Sequence, residues 1–181
     1  MAEICRRHDV IICSDEIHCD LIFSESRHTP IASLSPDIGA RSITLMAPSK
    51  TFNIAGLDCS FAIIEDAELR ARFQAAGKGL LSGINVLGFV AAVAAYRDGD
   101  PWLEEAMAYL QGNRDFMMAY VREKMPQLRM SPMEGTFLAW LDCRQAGIPG
   151  VPAEFFAKEA KVGMNDGATF GEGGAGFVRL N

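Results

Sequence analysis

The sequence contains no apolar run near the roughly 18 residues that a membrane-spanning helix requires, so no membrane partner is expected. Its opening, MAEICRRHD, lacks the long apolar core of a secretory signal. Basic residues are in the minority, 17 against 23 acidic for a net charge of −6, and they form no stripe. A nucleic-acid partner is therefore not expected either. Cysteine is sparse: Cys5, Cys13, Cys19, Cys59 and Cys143 make an odd five, and no CxxC pair occurs. That pattern argues against a disulfide framework and a structural zinc site, so no metal is expected and the expected setting is reducing and cytoplasmic. Disorder is excluded as well, because 49% hydrophobic and 22% charged residues are enough to build a packed core.

What is present reads as α/β. Glu3 to His8 reads as the last turns of a helix that begins without a cap. Val10 to Cys13, Ile43 to Met46 and Cys59 to Ile64 are short continuous apolar runs, the pattern of strands covered on both faces. Long connections between them predict a mainly parallel or mixed sheet flanked by helices. Leu69, Phe73 and Ala76 share one helical face. The segment from Val86 to Arg97 is apolar almost all round, which predicts a buried helix packed closely through Gly88 and its alanines. Asp100 and Pro101 open a long helix whose apolar residues Leu103, Met107, Leu110, Met117 and Val121 recur at helical spacing, until Pro126 stops it. Beyond it come a strand from Thr136 to Leu141, a helix from Ala153 to Lys161, a glycine-rich loop from Gly163 to Gly176 and a strand from Phe177 to Leu180.

Three residues stand where chemistry could be done. Lys50 follows the apolar run ending at Met46, at the mouth of a sheet, where burial favours the neutral amine that covalent chemistry with an aldehyde needs. A lone lysine there ordinarily reaches out to water. Asp15 ends the run DVIICSD and could hold a proton on a pyridine nitrogen, or could cap the next turn. An acid and an amine at two strand ends are what pyridoxal phosphate chemistry requires. Ser49 offers a hydroxyl for a phosphate and His18 a donor for a phenolate oxygen, whereas Glu16 reads as structural. Arg179 presents the planar fork that matches a carboxylate, although taken alone it reads as a strand-edge arginine in water. The loop FGEGGAGF before it permits close backbone approach but lacks the strand-then-helix order of a dinucleotide cradle.

The segments SDEIHCD, SKTFNIAGLDCSFAII, GTFLAWLD and GFVRLN, in that order, resemble fold-type I pyridoxal phosphate enzymes of the class I/II aminotransferase family. Within it they look most like the carbon–sulfur β-lyases of the PatB/MalY cystathionine β-lyase type. The resemblance covers nearly the whole chain. It implies Lys50 as the lysine that carries pyridoxal 5'-phosphate, Asp15 as the pyridinium partner, His18 and Ser49 as cofactor contacts, and Arg179 as the grip on the substrate α-carboxylate. Asp58 falls where many aminotransferases have a phosphate-binding arginine, a departure that leans to the lyase branch.

The fold implied is the three-layer α/β/α transferase fold plus an α+β small domain. Residues 1–100 would be the carboxyl-terminal part of the cofactor-binding domain, 101–125 an interdomain helix and 126–181 a truncated small domain. The chain thus resembles a piece of a longer enzyme, a homodimer acting on a small amino-acid substrate. The activity implied is α,β-elimination from cystathionine or a related cysteine thioether. Two alternatives stay open: an aminotransferase, and an inactive or regulatory relative. The piece alone is expected to be inactive, to bind cofactor weakly and to expose sheet edges.

Overall fold

Strands and helices alternate along most of the chain, as the sequence pattern predicts. A computed structural model describes residues 1–81 and 83–181. They fall into two compact units, Met1–Ala106 and Met107–Asn181. Among the described residues no helix is long and apolar enough to cross a membrane.

The first unit opens with α1 (Ala2–Arg7), which has no side-chain cap, and continues into β1 (Ile12–Asp15). The strand begins two residues later than expected, because Val10 and Ile11 are exposed. A short helix, α2 (Pro36–Ala40), is capped by the Ser35 hydroxyl and leads into β2 (Ser42–Met46). Strand β2 pairs in parallel with β1, with Asp15 opposite Leu45, and antiparallel with β3 (Phe61–Ile63). One turn of helix, α3 (Pro48–Thr51), follows β2 directly. Helix α4 (Ala67–Gly77) begins at Asp66, whose carboxylate accepts from the Leu69 amide at 2.7 Å. Leu69 then packs with Ile43 and Ile64 into a small core, flanked by Leu45 and Phe73.

Helix α5 (Val86–Asp98) forms where expected, started by Asn85, but it is not buried. Only Gly88 and Ala92 are covered, while Leu87, Phe89, Val90 and Val93 stand in solvent. The reason is geometric. One side of the helix presses on the turn Ala55–Leu57, so closely that a Cβ on Gly88 would strike the Leu57 carbonyl. Nothing among the described residues covers its other faces.

In the second unit, the later turns of α6 (Asp100–Lys124) lie beside a four-stranded antiparallel sheet. Its strands are β4 (Arg129–Met130), β5 (Ala139–Asp142), β6 (Asn165–Asp166) and β7 (Phe177–Leu180), in the order β4-β5-β7-β6. Alternation puts Ala139, Leu141 and Val178 on one face, where they pack with Val121, Cys143 and Ala153. The expected strand from Thr136 starts at Ala139 instead, because Thr136 takes a left-handed conformation (φ 66°) and its hydroxyl accepts from the Leu138 amide at 3.1 Å. Helix α7 (Pro152–Phe155) passes into a π-helical turn that ends at Lys161, also left-handed.

Candidate active site

Parallel pairing gives β1 and β2 a common carboxyl end, and the two candidate groups of the first unit leave from it. Asp15 is the last residue of β1. Its Oδ1 accepts from the Ile17 amide at 3.3 Å, so it does cap the following turn, yet Oδ2 takes no hydrogen bond among the described residues. Lys50 lies in α3, just past the end of β2, and is half-buried. Among the described residues its amine has neither a hydrogen bond nor an ion pair. His18 is half-buried in the turn 17–20 after β1.

Two contacts fix these segments. Thr51, only 1% exposed, donates from Oγ1 to Asp20 Oδ2 at 2.9 Å, joining the α3 turn to the loop that carries His18. The Phe52 ring meets Tyr96 edge-on at 5.6 Å and lies tilted to Trp102 at 6.3 Å. Burial, with the Asp20 carboxylate nearby, pushes the Tyr96 hydroxyl up to about 12 and the Cys19 thiol up to about 11. Cys19 is therefore a thiol at neutral pH and no nucleophile.

Glu16 is buried and takes hydrogen bonds from Ser14 Oγ at 2.9 Å and the Ile31 amide at 3.2 Å, with His28 Nε2 at 2.9 Å. Burial alone would raise its carboxyl, but these donors outweigh burial and hold it below its ordinary value. Its bonds are all spent within the loop, which is a structural role. The neighbouring cavity of 630 Å³ is lined by Glu16, Cys19, His28, Thr44 and Met46, and takes in none of Lys50, Asp15 or Ser49. Ser49 instead lines a cavity of 570 Å³ with Ala47, Ser60 and Gly83, and Asp58 stands on the same wall in a left-handed conformation (φ 48°). A phosphate there would gain one hydroxyl and face one unfavourable charge.

The second unit holds Arg179, on the inner strand β7 rather than at an edge. It sits opposite Trp140 on β5 and Asn165 on β6, on the sheet face away from the core. Its Nη2 donates to Asn165 Oδ1 at 3.0 Å and its guanidinium lies 4.6 Å over the Phe170 ring. Trp140 meets Phe170 edge-on at 5.5 Å and stacks on Phe177 at 5.4 Å. Nε of Arg179 is buried without a hydrogen-bond partner, and no carboxylate pairs with the group among the described residues. The guanidinium is thus oriented by amide and ring while its charge stays unanswered, an arrangement suited to an incoming carboxylate.

The loop before β7 is held by its glycines. A Cβ on Gly174 would strike the Gly167 carbonyl, and one on Gly167 would strike the Gly174 carbonyl. Gly171 (φ 125°) and Gly176 (φ 81°) adopt backbones that side chains resist. Thr51, Asp20, Asn165 and Phe170 were not marked by the sequence. Asn165 and Phe170 are seen only once the register of β6 and β7 is known, and no local pattern couples residues 20 and 51.

The donor set suits pyridoxal phosphate: a free, half-buried amine, a carboxylate with an open oxygen at the same sheet end, and a hydroxyl on a cavity wall. Comparison with known proteins agrees. A family model described as aminotransferase class I and II matches residues 1–181. Cystathionine beta-lyase PatB of Bacillus subtilis (strain 168) is 40% identical over 183 residues, covering all of this chain and 47% of the relative. The solved structure of OvoB superposes with a TM-score of 0.93 at 47% identity, over 99% of this chain and 46% of that one. The PLP-bound C–S lyase of Staphylococcus hominis gives 0.89 at 34% identity, over 99% and 47%. The chain therefore has the α/β fold of these enzymes and spans about half the length of the curated relatives it matches.

Proposed function

The chain belongs to the aminotransferase class I and II family, and on that premise we propose that it forms part of a pyridoxal phosphate-dependent carbon–sulfur β-lyase. The substrate would be cystathionine or a related cysteine thioether, cleaved by α,β-elimination to a thiol, pyruvate and ammonia. The observation that carries the reading is the unpaired Lys50 amine at the same end of the parallel β1–β2 pair as the open oxygen of Asp15.

Bound here, pyridoxal phosphate supplies an aldehyde for amines and a ring that takes up electron density from the substrate α-carbon. The chain's own residues do the rest. Lys50 would hold the cofactor through Nζ, and that same atom would take the substrate α-proton. Such acid–base work is worth roughly 10²–10⁴-fold. The Asp15 carboxylate would keep a proton on the pyridine nitrogen. The His18 side chain would address the phenolate oxygen, and Ser49 would give one hydroxyl to the phosphate. In the second unit Arg179, oriented by Asn165 and Phe170, binds the α-carboxylate. Residues 1–100 would serve as the carboxyl-terminal part of the cofactor domain, 101–125 as the interdomain helix and 126–181 as part of the small domain. The enzyme would be a homodimer in the cytoplasm, a setting consistent with five free cysteines.

The family's own description favours one second reading, an aminotransferase using the same residues. One experiment separates the two. Pyruvate released from cystathionine without a keto-acid acceptor supports the lyase; strict dependence on an acceptor overturns it. Borohydride reduction followed by mass mapping tests the site, and label on a lysine other than Lys50 would refute it.

A further inference from the structure

The α3 turn that carries Lys50 is four residues long, too short to fix its own direction. Its orientation must come from contacts made outside it. Among the described residues, two such side-chain contacts are made by the residues immediately after Lys50. Phe52 anchors the turn among aromatic rings. Thr51, buried and β-branched and so stiff at χ1, donates to Asp20 Oδ2 at 2.9 Å. Asp20 closes the turn 17–20, which begins two residues after Asp15 ends β1. A hydroxyl donor on a carboxylate is a short, directional link. It runs between the two segments that bear the amine and the carboxylate.

We propose that the Thr51–Asp20 hydrogen bond is a positioning device, setting where the Lys50 amine stands relative to the Asp15 carboxylate. This inference rests on the reading of Lys50 given above. The strand ladder holds β1 to β2 only as far as the Glu16 amide, which donates to the Leu45 carbonyl at 2.9 Å. Past that point this side-chain hydrogen bond joins the loop to the α3 turn. On the loop's other flank the buried Glu16, Ser14, His28 and Ile31 network ties it down. Asp20 is thereby presented from a braced loop as the acceptor, and Thr51 is the donating half of the joint. Losing the joint would leave Lys50 chemically intact but misplaced, and misplacement of about 1 Å costs on the order of 10²-fold in rate.

The test uses the full-length holoenzyme. Thr51→Val keeps the shape and removes the donor; Thr51→Ser keeps the donor. Asp20→Ala, at an exposed position, repeats the loss from the other side should the valine variant fail to fold. For Thr51→Val and Asp20→Ala we expect kcat to fall by about 10–10²-fold, with KM for cystathionine nearly unchanged and the pH midpoint of the lysine–cofactor absorbance displaced. Thr51→Ser should restore both. In the cofactor-free protein, amide exchange should quicken together at 17–20 and 48–52 in the valine variant and not in the serine variant. Wild-type kcat and absorbance in Thr51→Val, or equal losses in Val and Ser, would overturn the proposal. Borohydride label on Lys50 with those outcomes condemns the positioning role alone, whereas label on a different lysine condemns the reading beneath it.

Discussion

The sheet of the second unit and helix α5 of the first treat their apolar residues in opposite ways. In the second, Val178 is 0% exposed and Ala139 1%, so the antiparallel sheet closes its own core against Val121 and Ala153. In the first, Leu87 is 64% exposed and Val90 59%, on a helix whose sequence calls for burial. The first unit bears Lys50, Asp15, His18 and Ser49; the second bears Arg179. The second unit's sheet thus carries Arg179, the proposed carboxylate grip, while the proposed cofactor groups stand on a three-stranded sheet with both outer strands, β1 and β3, unpaired on one side among the described residues.

That contrast can be broken or sharpened by substitution. The largest expected effect is chemical and lies in the first unit. Lys50→Ala in the full-length enzyme should lower kcat by at least about 10²–10⁴-fold and abolish borohydride labelling, measured by steady-state pyruvate release and mass mapping. Next is packing in the second unit. Leu141→Ala should destabilise that unit by about 2–5 kcal/mol, whereas Val90→Ala in this 181-residue chain should change stability by no more than about 0.5 kcal/mol. Denaturant titration decides this, and equal losses would dissolve the contrast. Third, Arg179→Lys should raise KM by about 10-fold or more, since a charged hydrogen bond is worth roughly 1.5–3 kcal/mol. A change in kcat alone would mean that Arg179 does not hold the carboxylate.

The smallest effect is a pH dependence confined to the second unit. Two hydrogen bonds from the Arg144 guanidinium, at 2.9 and 2.8 Å, hold the Asp142 carboxyl down at about 2. A depressed carboxyl contributes stability that is present above its unfolded value, near 3.8, and is lost as pH falls toward about 2. The ion pair is partly exposed, so the loss should be small. Asp142→Asn should flatten the second unit's acid transition across that window, read by near-ultraviolet dichroism at Trp140.

Much of this arrangement is legible along the chain because it depends on local order. The continuous runs at 43–46 and 59–64, the Asp100–Pro101 start and the stop at Pro126 act through nearest neighbours, and the structure places elements there. Lys50 and Asp15 are legible for the same reason, since Asp15 ends one strand and Lys50 lies just past another. What could not be read depends on contacts across long intervals. Helix α5 has the composition of a buried helix, yet composition says nothing about what supplies the cover. Arg179 reads as an edge residue until the order β5-β7-β6 makes its strand an inner one. Thr51 looks like any helix threonine until Asp20 folds back to meet it.

The clasp between Gly167 and Gly174 bears on how this sequence can drift. Each residue blocks a side chain on the other through main-chain atoms, so no neighbouring change can make room. Gly173, beside the clasp, has open space where its Cβ would point. In a saturation library selected for activity, Gly167 and Gly174 should therefore stay fixed as a pair, and Gly173 should diversify freely. Adjacent letters of one glycine tract would carry opposite mutational loads, and the tract would be a poor guide to relatedness if scored as a unit.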